Sequence, residues 1–232
     1  RGRGDVYKRQ RFDCIQNTHL LLSCRGRIRN GNEGPYMRTK RGDNPRGRVR
    51  LISGRWGGRR LYFPSIDGLR PTLASQRETL FNWLRPVIAN SRCLDLFAGS
   101  GALGFEAASG GAASVILVEK SKKAYLSLLS NAELLNAENC RIVNATAQSF
   151  LERYPDQFDI FFLDPPFSNP EILEKTISLI GERLSEGQLI YLEGRDMKFL
   201  KELCQIHSLN IYKESSAGQR AGILAEKRKQ TP

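Results

Sequence analysis

The sequence has few of the residues on which metal and histidine chemistry depend. Its 232 residues include 2 histidines, His19 and His207, and neither lies near a motif described below, which argues against a histidine base. The 5 cysteines form no CxxC pair, so they predict neither a zinc site nor disulfides and fit a reduced, cytoplasmic protein. They are Cys14, Cys24, Cys93, Cys140 and Cys204. We therefore expect no metal.

Long apolar runs are also absent. No stretch approaches the ~20 consecutive apolar residues of a membrane span. His19–Leu22 is too short for the apolar region of a signal peptide. The length suits one α/β domain with a modest extension. We expect a cytoplasmic monomer without membrane contact.

Acidic residues are scarce in the N-terminal quarter. Residues 1–60 hold 17 Lys and Arg against 4 Asp and Glu, whereas the remaining residues carry a net charge of −1. A basic arm on a near-neutral domain indicates salt-sensitive contacts with nucleic-acid phosphates. A solvated, disordered tail is the alternative interpretation of the same charge.

The first residues look foreign to the rest of the chain. Residues 1–36 lack hydrophobic periodicity, and Asp5–Gln10 resembles the conceptual translation of a sequencing adaptor. We interpret 1–36 as a non-native or disordered leader, 37–72 as a basic arm with a β-hairpin, 73–229 as the main domain and 230–232 as a tail. The basic arm survives removal of the leader, because residues 37–60 still hold 9 basic residues and 1 acidic residue.

Apolar strands alternate with helices from Arg92 onward. This alternation predicts a doubly wound, mostly parallel sheet that binds ligands at the carboxyl ends of its strands. Ahead of it we expect a hairpin over 49–63 and a helix that ends at Leu84, with Ser75 as its N-cap and Glu78 at the capping-box position. Expected strands cover 93–97, 114–119, 141–144, 158–163 and 188–192, with an antiparallel pair at 209–213 and 223–225. Expected helices cover 102–109, 121–136, 147–153, 170–184 and 197–206.

A glycine-rich segment, Leu94–Gly104, follows the first of these strands. Glycines let a ligand approach the backbone, and Glu119 stands 20 residues after Gly99, where an acid that binds ribose belongs. The pattern fits a nicotinamide dinucleotide or S-adenosylmethionine. Asp95 favours the second, because a carboxylate suits a cationic ligand with an amino-acid end and repels a pyrophosphate.

A second motif, Asp164-Pro165-Pro166-Phe167, follows the strand Phe158–Leu163. The lone pair of an exocyclic base amine is delocalised into the ring. A carboxylate and the Pro165 carbonyl can accept its two N–H bonds and localise the lone pair on nitrogen. The prolines stiffen the loop, and Phe167 offers a face on which a base can stack. The motif predicts methyl transfer to an amine and leaves the base open.

Thr146-Ala147-Gln148 follows the third strand and allows two interpretations. These residues can line an adenine pocket, or Thr146 can simply be the N-cap of the next helix.

Four segments together resemble the RsmD family, the 16S rRNA (guanine(966)-N(2))-methyltransferases: Gly68–Thr72, Arg77–Leu84, Leu94–Gly104 and Asp164–Phe167. The resemblance covers about 48–229. It implies a Rossmann-like S-adenosylmethionine-dependent methyltransferase domain, with a seven-stranded, mostly parallel sheet flanked by helices and a small N-terminal β-hairpin extension. It also implies methylation of a guanine N2 in 16S rRNA, on a partly assembled 30S subunit.

Three groups of site residues follow. The catalytic group is Asp164, Pro165, Pro166 and Phe167. The group expected to bind S-adenosylmethionine is Asp95, Phe97, Ala98, Gly99, Ser100, Gly101, Glu119, Lys120, Ala147 and Gln148. The group expected to bind RNA is Arg48, Arg50, Arg55, Arg59, Arg60, Arg70, Thr72, Arg77 and Asn82, with Arg46 in the same basic hairpin.

Three other functions stay open from the residues alone. A DNA adenine-N6 or cytosine-N4 methyltransferase uses the same type of tetrapeptide, although the chain shows no separate target-recognition domain. A nicotinamide dehydrogenase fits the glycine loop by itself. A non-catalytic RNA-binding protein on the same fold fits the basic arm.

Overall fold

A two-stranded hairpin and a seven-stranded sheet make up the strands of the described part of the chain. The structure is a computed structural model that describes residues 47–66, 72–154, 157–166, 169–181 and 184–227. The hairpin pairs β1 (Gly47–Arg50) with β2 (Arg60–Phe63), and a 3-10 turn at Gly54–Trp56 joins them.

The main sheet alternates with helices, as predicted. Its strands are β3 (Arg92–Asp95), β4 (Ser114–Val118), β5 (Cys140–Val143), β6 (Ile160–Leu163), β7 (Leu189–Gly194), β8 (Leu209–Ala217) and β9 (Arg220–Lys227). The helices are α1 (Ala74–Leu84), α2 (Ala102–Ser109), α3 (Lys122–Leu135), α4 (Ala147–Arg153), α5 (Pro170–Gly181) and α6 (Met197–Ile206).

The strand order is β5-β4-β3-β6-β7-β9-β8. Strands β3 to β7 are parallel, and β9 runs antiparallel to both β7 and β8. The chain winds outward from β3 to β5 and then returns to the other side of β3 as β6. The order therefore reverses between β3 and β6, where ligands of open α/β sheets bind.

The hairpin packs on the face of the sheet that α1, α2 and α3 cover. The side chains of Val49, Leu51, Leu61 and Phe63 point inward and are buried in the same core as those helices. Alternate residues point to opposite faces of a strand. The arginines of both strands therefore lie on the outer face of the hairpin; they are Arg48, Arg50 and Arg60.

Glu106 of α2 fastens the hairpin to the domain. Its carboxylate accepts hydrogen bonds from the backbone N–H groups of Ile52 and Ser53 at 2.8–3.0 Å. The buried guanidinium of Arg77, on α1, pairs with the same carboxylate at 3.3 Å and also donates to the carbonyl oxygens of Arg50 and Thr72. One carboxylate thus links the hairpin, α1 and α2.

Most predicted elements are present, and the main difference lies at the start of α1. Ser75 is not its N-cap, because the Arg77 N–H bonds to the Leu73 carbonyl and places the first helical turn two residues earlier. The described part of α5 ends at Gly181, and residues 182–183 lie outside the described residues. Strand β7 continues to Gly194, past the predicted end at 192.

Cysteine chemistry and metal binding find no support in the described residues. Cys93, Cys140 and Cys204 are free thiols there, whereas Cys14, Cys24 and His19 lie outside those residues with the whole of 1–36. Within the described ranges, no three His, Cys, Asp or Glu side chains are grouped so that they could hold a metal ion. No helix in these ranges has both the length and the apolar character that a membrane crossing requires.

Candidate active site

A cleft of about 890 Å³ opens at the carboxyl ends of the strands, on both sides of the switch point. Its volume lies within the roughly 300–1,000 Å³ usual for ligand sites. The loops after β3, β4 and β5 form one half. The other half is formed by the loop after β6, helix α5, Thr72 and the turn between β8 and β9.

The glycine loop after β3 lines the first half through Phe97, Ala98, Gly99 and Ser100. Gly101 is the N-cap of α2 with φ of +80°, and a Cβ there would lie 2.6 Å from the ring of Phe105. Only glycine satisfies both conditions. Gly101 therefore shapes the predicted cofactor loop, which lines the cleft on either side of it.

Asp95 ends β3 and is buried beneath this loop. Its carboxylate accepts hydrogen bonds from the N–H groups of Gly104 at 3.0 Å and Phe97 at 3.4 Å. Burial, and next the charge of Asp164, raise the pKa of Asp95 to about 7. Asp95 thus stabilises the loop through these hydrogen bonds and also places a carboxyl group in the cleft wall.

Glu119 follows β4 and reaches the same loop from the next strand. Its carboxylate accepts hydrogen bonds from the N–H groups of Gly99 at 2.8 Å and Ser121 at 2.7 Å. The side chain lies in the cleft wall, with Lys120 beside it. Glu119 therefore lies in the cleft, and its role in binding a ribose stays a prediction.

Thr146 caps α4, since its hydroxyl accepts the Ser149 N–H at 3.1 Å, which confirms the N-cap interpretation. Ala147 and Gln148 nevertheless line the cleft at the β5 tip, as the adenine-pocket interpretation requires. The Gln148 amide donates to Glu152 at 2.9 Å. The two interpretations of this segment are therefore compatible.

Asp164 leaves the tip of β6 in the second half of the cleft, followed by Pro165 and Pro166. The Thr72 hydroxyl donates to its Oδ2 at 2.6 Å. Burial raises the pKa of Asp164, whereas the Thr72 hydrogen bond and the charge of Arg220 lower it. Phe167 lies outside the described residues.

A buried polar group behind Asp164 was not among the predicted site residues. Glu193, fully buried at the end of β7, accepts hydrogen bonds from the Tyr191 hydroxyl at 3.0 Å and from Nη1 of Arg220 at 2.7 Å. Burial and then Asp164 raise the pKa of Glu193 to about 8. A carboxylate directly after an apolar strand also marks Asp95 and Asp164, so the same signal could have identified Glu193.

The predicted RNA-binding residues separate into three groups. Arg48, Arg50 and Arg60 lie on the outer face of the hairpin. Arg55 and Arg59 are exposed and donate to Asn139 and the Leu134 carbonyl, beside the ends of β5 and α3 that face away from the cleft. Thr72 lines the cleft, and Arg70 lies outside the described residues.

One of the predicted RNA contacts needs correction, and another lies away from the cleft. Arg77 is 1% exposed and uses its donors on Glu106 and two backbone carbonyls, so its side chain is structural. Asn82 is exposed in the last turn of α1, and the chain goes on from there to the amino end of β3. It therefore lies at the opposite edge of the sheet from the cleft.

Comparisons with known proteins agree with this architecture. The family described as "Conserved hypothetical protein 95" matches residues 49–225. The chain is 44% identical over 186 residues to "Ribosomal RNA small subunit methyltransferase D" of Escherichia coli (strain K12), which covers 79% of this chain and 92% of that protein. The protein of the same name from Haemophilus influenzae is 44% identical over 156 residues, covering 65% of this chain and 80% of the relative.

Solved structures show the same fold. The Escherichia coli protein yhhF superposes with a TM-score of 0.68 at 38% identity and covers 79% of this chain and all of its own. A hypothetical protein of Thermus thermophilus gives a TM-score of 0.63 at 30% identity, with 77% of this chain and 99% of its own covered. The predicted fold is confirmed, and the chain belongs to the Conserved hypothetical protein 95 family, the RsmD family of methyltransferases that its motifs resemble.

Proposed function

We propose that this protein transfers a methyl group from S-adenosylmethionine to the N2 amine of a guanine in 16S rRNA, guanine 966 by family resemblance, on a partly assembled 30S subunit. The observation that carries the proposal is the position of Asp164. Its carboxylate stands at a strand tip in the cleft, across the switch point from the glycine loop. The names of the relatives support the rRNA substrate.

The first half of the cleft suits S-adenosylmethionine chemically. Glu119 offers carboxylate oxygens to ribose hydroxyls, and Asp95 places a carboxyl group where a cationic amino-acid end would lie. Ala147 and Gln148 border the position expected for the adenine. When bound, S-adenosylmethionine supplies a methyl group on a positively charged sulfur.

The second half suits an exocyclic amine. Asp164 and the Pro165 carbonyl accept its two N–H bonds, which localises the lone pair on nitrogen and directs it toward the first half. Thr72 holds Asp164 in place through the 2.6 Å hydrogen bond to Oδ2. The nitrogen sheds a proton as the new bond forms. Asp164 accepts this proton more readily than an ordinary carboxylate because burial raises its pKa.

The hairpin supplies the RNA-binding surface. Arg50 stands directly opposite Arg60 in the β-ladder. Like charges at such positions are destabilising, on the order of 0.2–1 kcal/mol, and a phosphate group relieves the repulsion. Arg55 and Arg59 extend the basic surface to the far edge of the sheet. Bound RNA therefore follows the length of the hairpin from the cleft toward that edge.

Methyl transfer with tritiated S-adenosylmethionine tests the proposal. The acceptor is immature small-subunit particles from cells without the gene, and Asp164→Ala is the comparison. We expect transfer by the wild-type protein and a loss of at least about 100-fold in the variant. Retained S-adenosylmethionine binding by Asp164→Ala shows that it is folded.

Three results would contradict the proposal. Undiminished transfer by Asp164→Ala removes the mechanism. Transfer to DNA in preference to rRNA favours the adenine or cytosine methyltransferase. RNA binding without any transfer by the wild-type protein leaves a binding function only.

A further inference from the structure

An arginine lies beside Asp164 in the wall of the substrate half of the cleft. Arg220 begins β9, immediately after the turn at Gly218 and Gln219, and lines the cleft together with Asp164. Its positive charge lowers the pKa of Asp164. A hydrogen-bond acceptor and a cation held by Glu193 thus line the same half of the cleft.

The sheet register explains this placement. Leu163 pairs with Leu192 across β6 and β7, so the residues that follow each of them, Asp164 and Glu193, come out at neighbouring strand tips. Gly194 pairs with Ala221 across β7 and β9, so the antiparallel β9 begins at that same edge. Arg220 reaches the cleft because β9 starts where β7 ends.

Glu193 holds the guanidinium of Arg220 from the buried side. The Arg220 Nη1 donates to Glu193 at 2.7 Å, and the Tyr191 hydroxyl occupies the other oxygen of that carboxylate at 3.0 Å. Glu193 is fully buried, whereas the Arg220 side chain keeps 14% of its surface exposed. A Cβ at Gly222 would lie 2.4 Å from Gln76 Nε2 and 2.7 Å from the Tyr191 hydroxyl, so only glycine leaves room for this network.

The donor Arg220 and the acceptor Asp164 together complement one edge of guanine. That edge presents the 2-amino group and N1–H as donors, and then O6 as an acceptor. Adenine presents its amine beside the N1 acceptor and has no acceptor at the third position. A guanidinium carries five N–H donors, so Arg220 can satisfy both Glu193 and a base.

We propose that Arg220 determines base specificity by donating a hydrogen bond to O6 of the target guanine, and that Glu193 is a positioning residue that fixes the guanidinium for this contact. The inference rests on the proposed function and names the residue that selects the base. A purely structural ion pair is the competing explanation, and it predicts no dependence on the substrate atom.

A thermodynamic cycle that combines an enzyme variant with a substrate analogue distinguishes recognition of O6 from a purely structural ion pair. The substrate is small-subunit particles that carry either guanine or 2-aminopurine at the target position; 2-aminopurine keeps the 2-amino group and lacks O6. Wild type and Arg220→Met are compared by single-turnover methyl transfer. Any effect of the missing N1–H is common to both enzymes and cancels in the cycle.

We expect Arg220→Met to slow transfer to guanine by about 10–100-fold and transfer to 2-aminopurine by less than about threefold. Equal losses on the two substrates would overturn the inference. Arg195→Met is the matched control, because it removes another arginine that lines the cleft and should lower both rates by the same factor. Retained S-adenosylmethionine binding shows that each variant is folded.

Glu193→Leu tests the positioning role without changing Arg220. It should remove most of the difference between the two substrates, whereas Glu193→Gln, which keeps an acceptor oxygen, should preserve part of it. A Glu193→Leu enzyme that discriminates as the wild type does would overturn this role. Failure of the proposed function is distinguishable, since the wild-type enzyme would then transfer no methyl group to the guanine substrate.

Discussion

In this protein two buried glutamates each pair with an arginine, and the surroundings of the two pairs differ. Glu106 pairs with Arg77 at 3.3 Å, and Glu193 pairs with Arg220 at 2.7 Å. Both glutamate side chains are 0% exposed, but the Arg77 side chain is 2% exposed and the Arg220 side chain is 14% exposed. The first pair joins elements of the fold, whereas the second lies against the cleft.

The same two residue types, glutamate and arginine, therefore have different roles in the two pairs. The backbone N–H groups of Ile52 and Ser53 donate to Glu106, and Arg77 donates to the carbonyl oxygens of Arg50 and Thr72. Neither Glu106 nor Arg77 lines the cleft. The Glu193 pair is also hydrogen-bonded, but its arginine faces the space where a substrate binds. What distinguishes Arg220 from Arg77 is that it lines the cleft, since both arginines pair with a buried glutamate.

Breaking the first pair should have the largest effect on stability. Arg77→Met leaves the Glu106 charge buried without its partner, and we expect a loss of about 3–5 kcal/mol in the free energy of unfolding. Urea denaturation measures it. Arg220→Met is the control and should lose less, because Glu193 can take up a proton. Equal losses in the two variants would contradict the distinction between the pairs.

The second pair should make stability depend on pH. The pKa of Glu193 is raised to about 8 in the folded protein, from an unfolded value of about 4.5, so the native state holds this proton more tightly. Its contribution is complete below pH 4.5 and is lost as the pH rises toward 8. Relative to Glu193→Gln, the wild type should lose up to about 4 kcal/mol across this window, because each unit of pKa difference corresponds to about 1.4 kcal/mol.

Denaturation series on both proteins between about pH 5 and pH 8.5 check this prediction. Parallel curves for wild type and Glu193→Gln would show that Glu193 does not titrate in the window.

Asp95 extends the comparison to the cofactor half of the cleft. Its pKa is raised to about 7, so its carboxyl group ionises as the pH rises from about 6 to about 7.5. The α-amino group of the cofactor remains mostly cationic in this range, since such groups have a pKa of about 8. The Kd for S-adenosylmethionine should therefore fall about 3–10-fold over this range.

Calorimetric titration at several pH values measures this change. Asp95→Asn should bind more weakly, with a Kd that changes little with pH. A wild-type Kd that is flat over the range would rule out Asp95 as the titrating group.

The hairpin arginines should give the smallest effects. Arg60→Gln removes one proposed phosphate contact, so RNA affinity should fall only a few-fold and the slope of log K against log[salt] should decrease by about 1. Filter binding at several salt concentrations measures both. Arg85→Gln, an exposed change at the C-terminal end of α1, is the control and should leave the slope unchanged. An unchanged slope for Arg60→Gln would remove this residue from the RNA contact.

The sequence predicted the elements that depend on local pattern. Helices α2, α4 and α6 have the predicted bounds, because their apolar spacing and flanking residues are local signals. The residues of the first cleft half also lie together as expected, since each one follows a parallel strand. Carboxyl ends of parallel strands meet at one edge of the sheet.

Contacts between distant segments could not be predicted in this way. The family resemblance implies an RNA-binding role for Arg77, yet its partner Glu106 lies 29 residues away on another helix. Arg220 and Glu193 are 27 residues apart and meet only because β9 is inserted antiparallel beside β7. Side-chain direction toward core or cleft depends on this packing, which a local pattern does not encode.

The methylated nucleoside can be identified to test the proposed methylation of a guanine N2. Small-subunit particles from cells without the gene are incubated with S-adenosylmethionine and either wild-type protein or Asp164→Ala, and the 16S rRNA is then analysed by mass spectrometry. We predict one N2-methylguanosine with the wild type and none with the variant. A methyl group on adenosine or cytidine, or equal methylation by Asp164→Ala, would contradict the account.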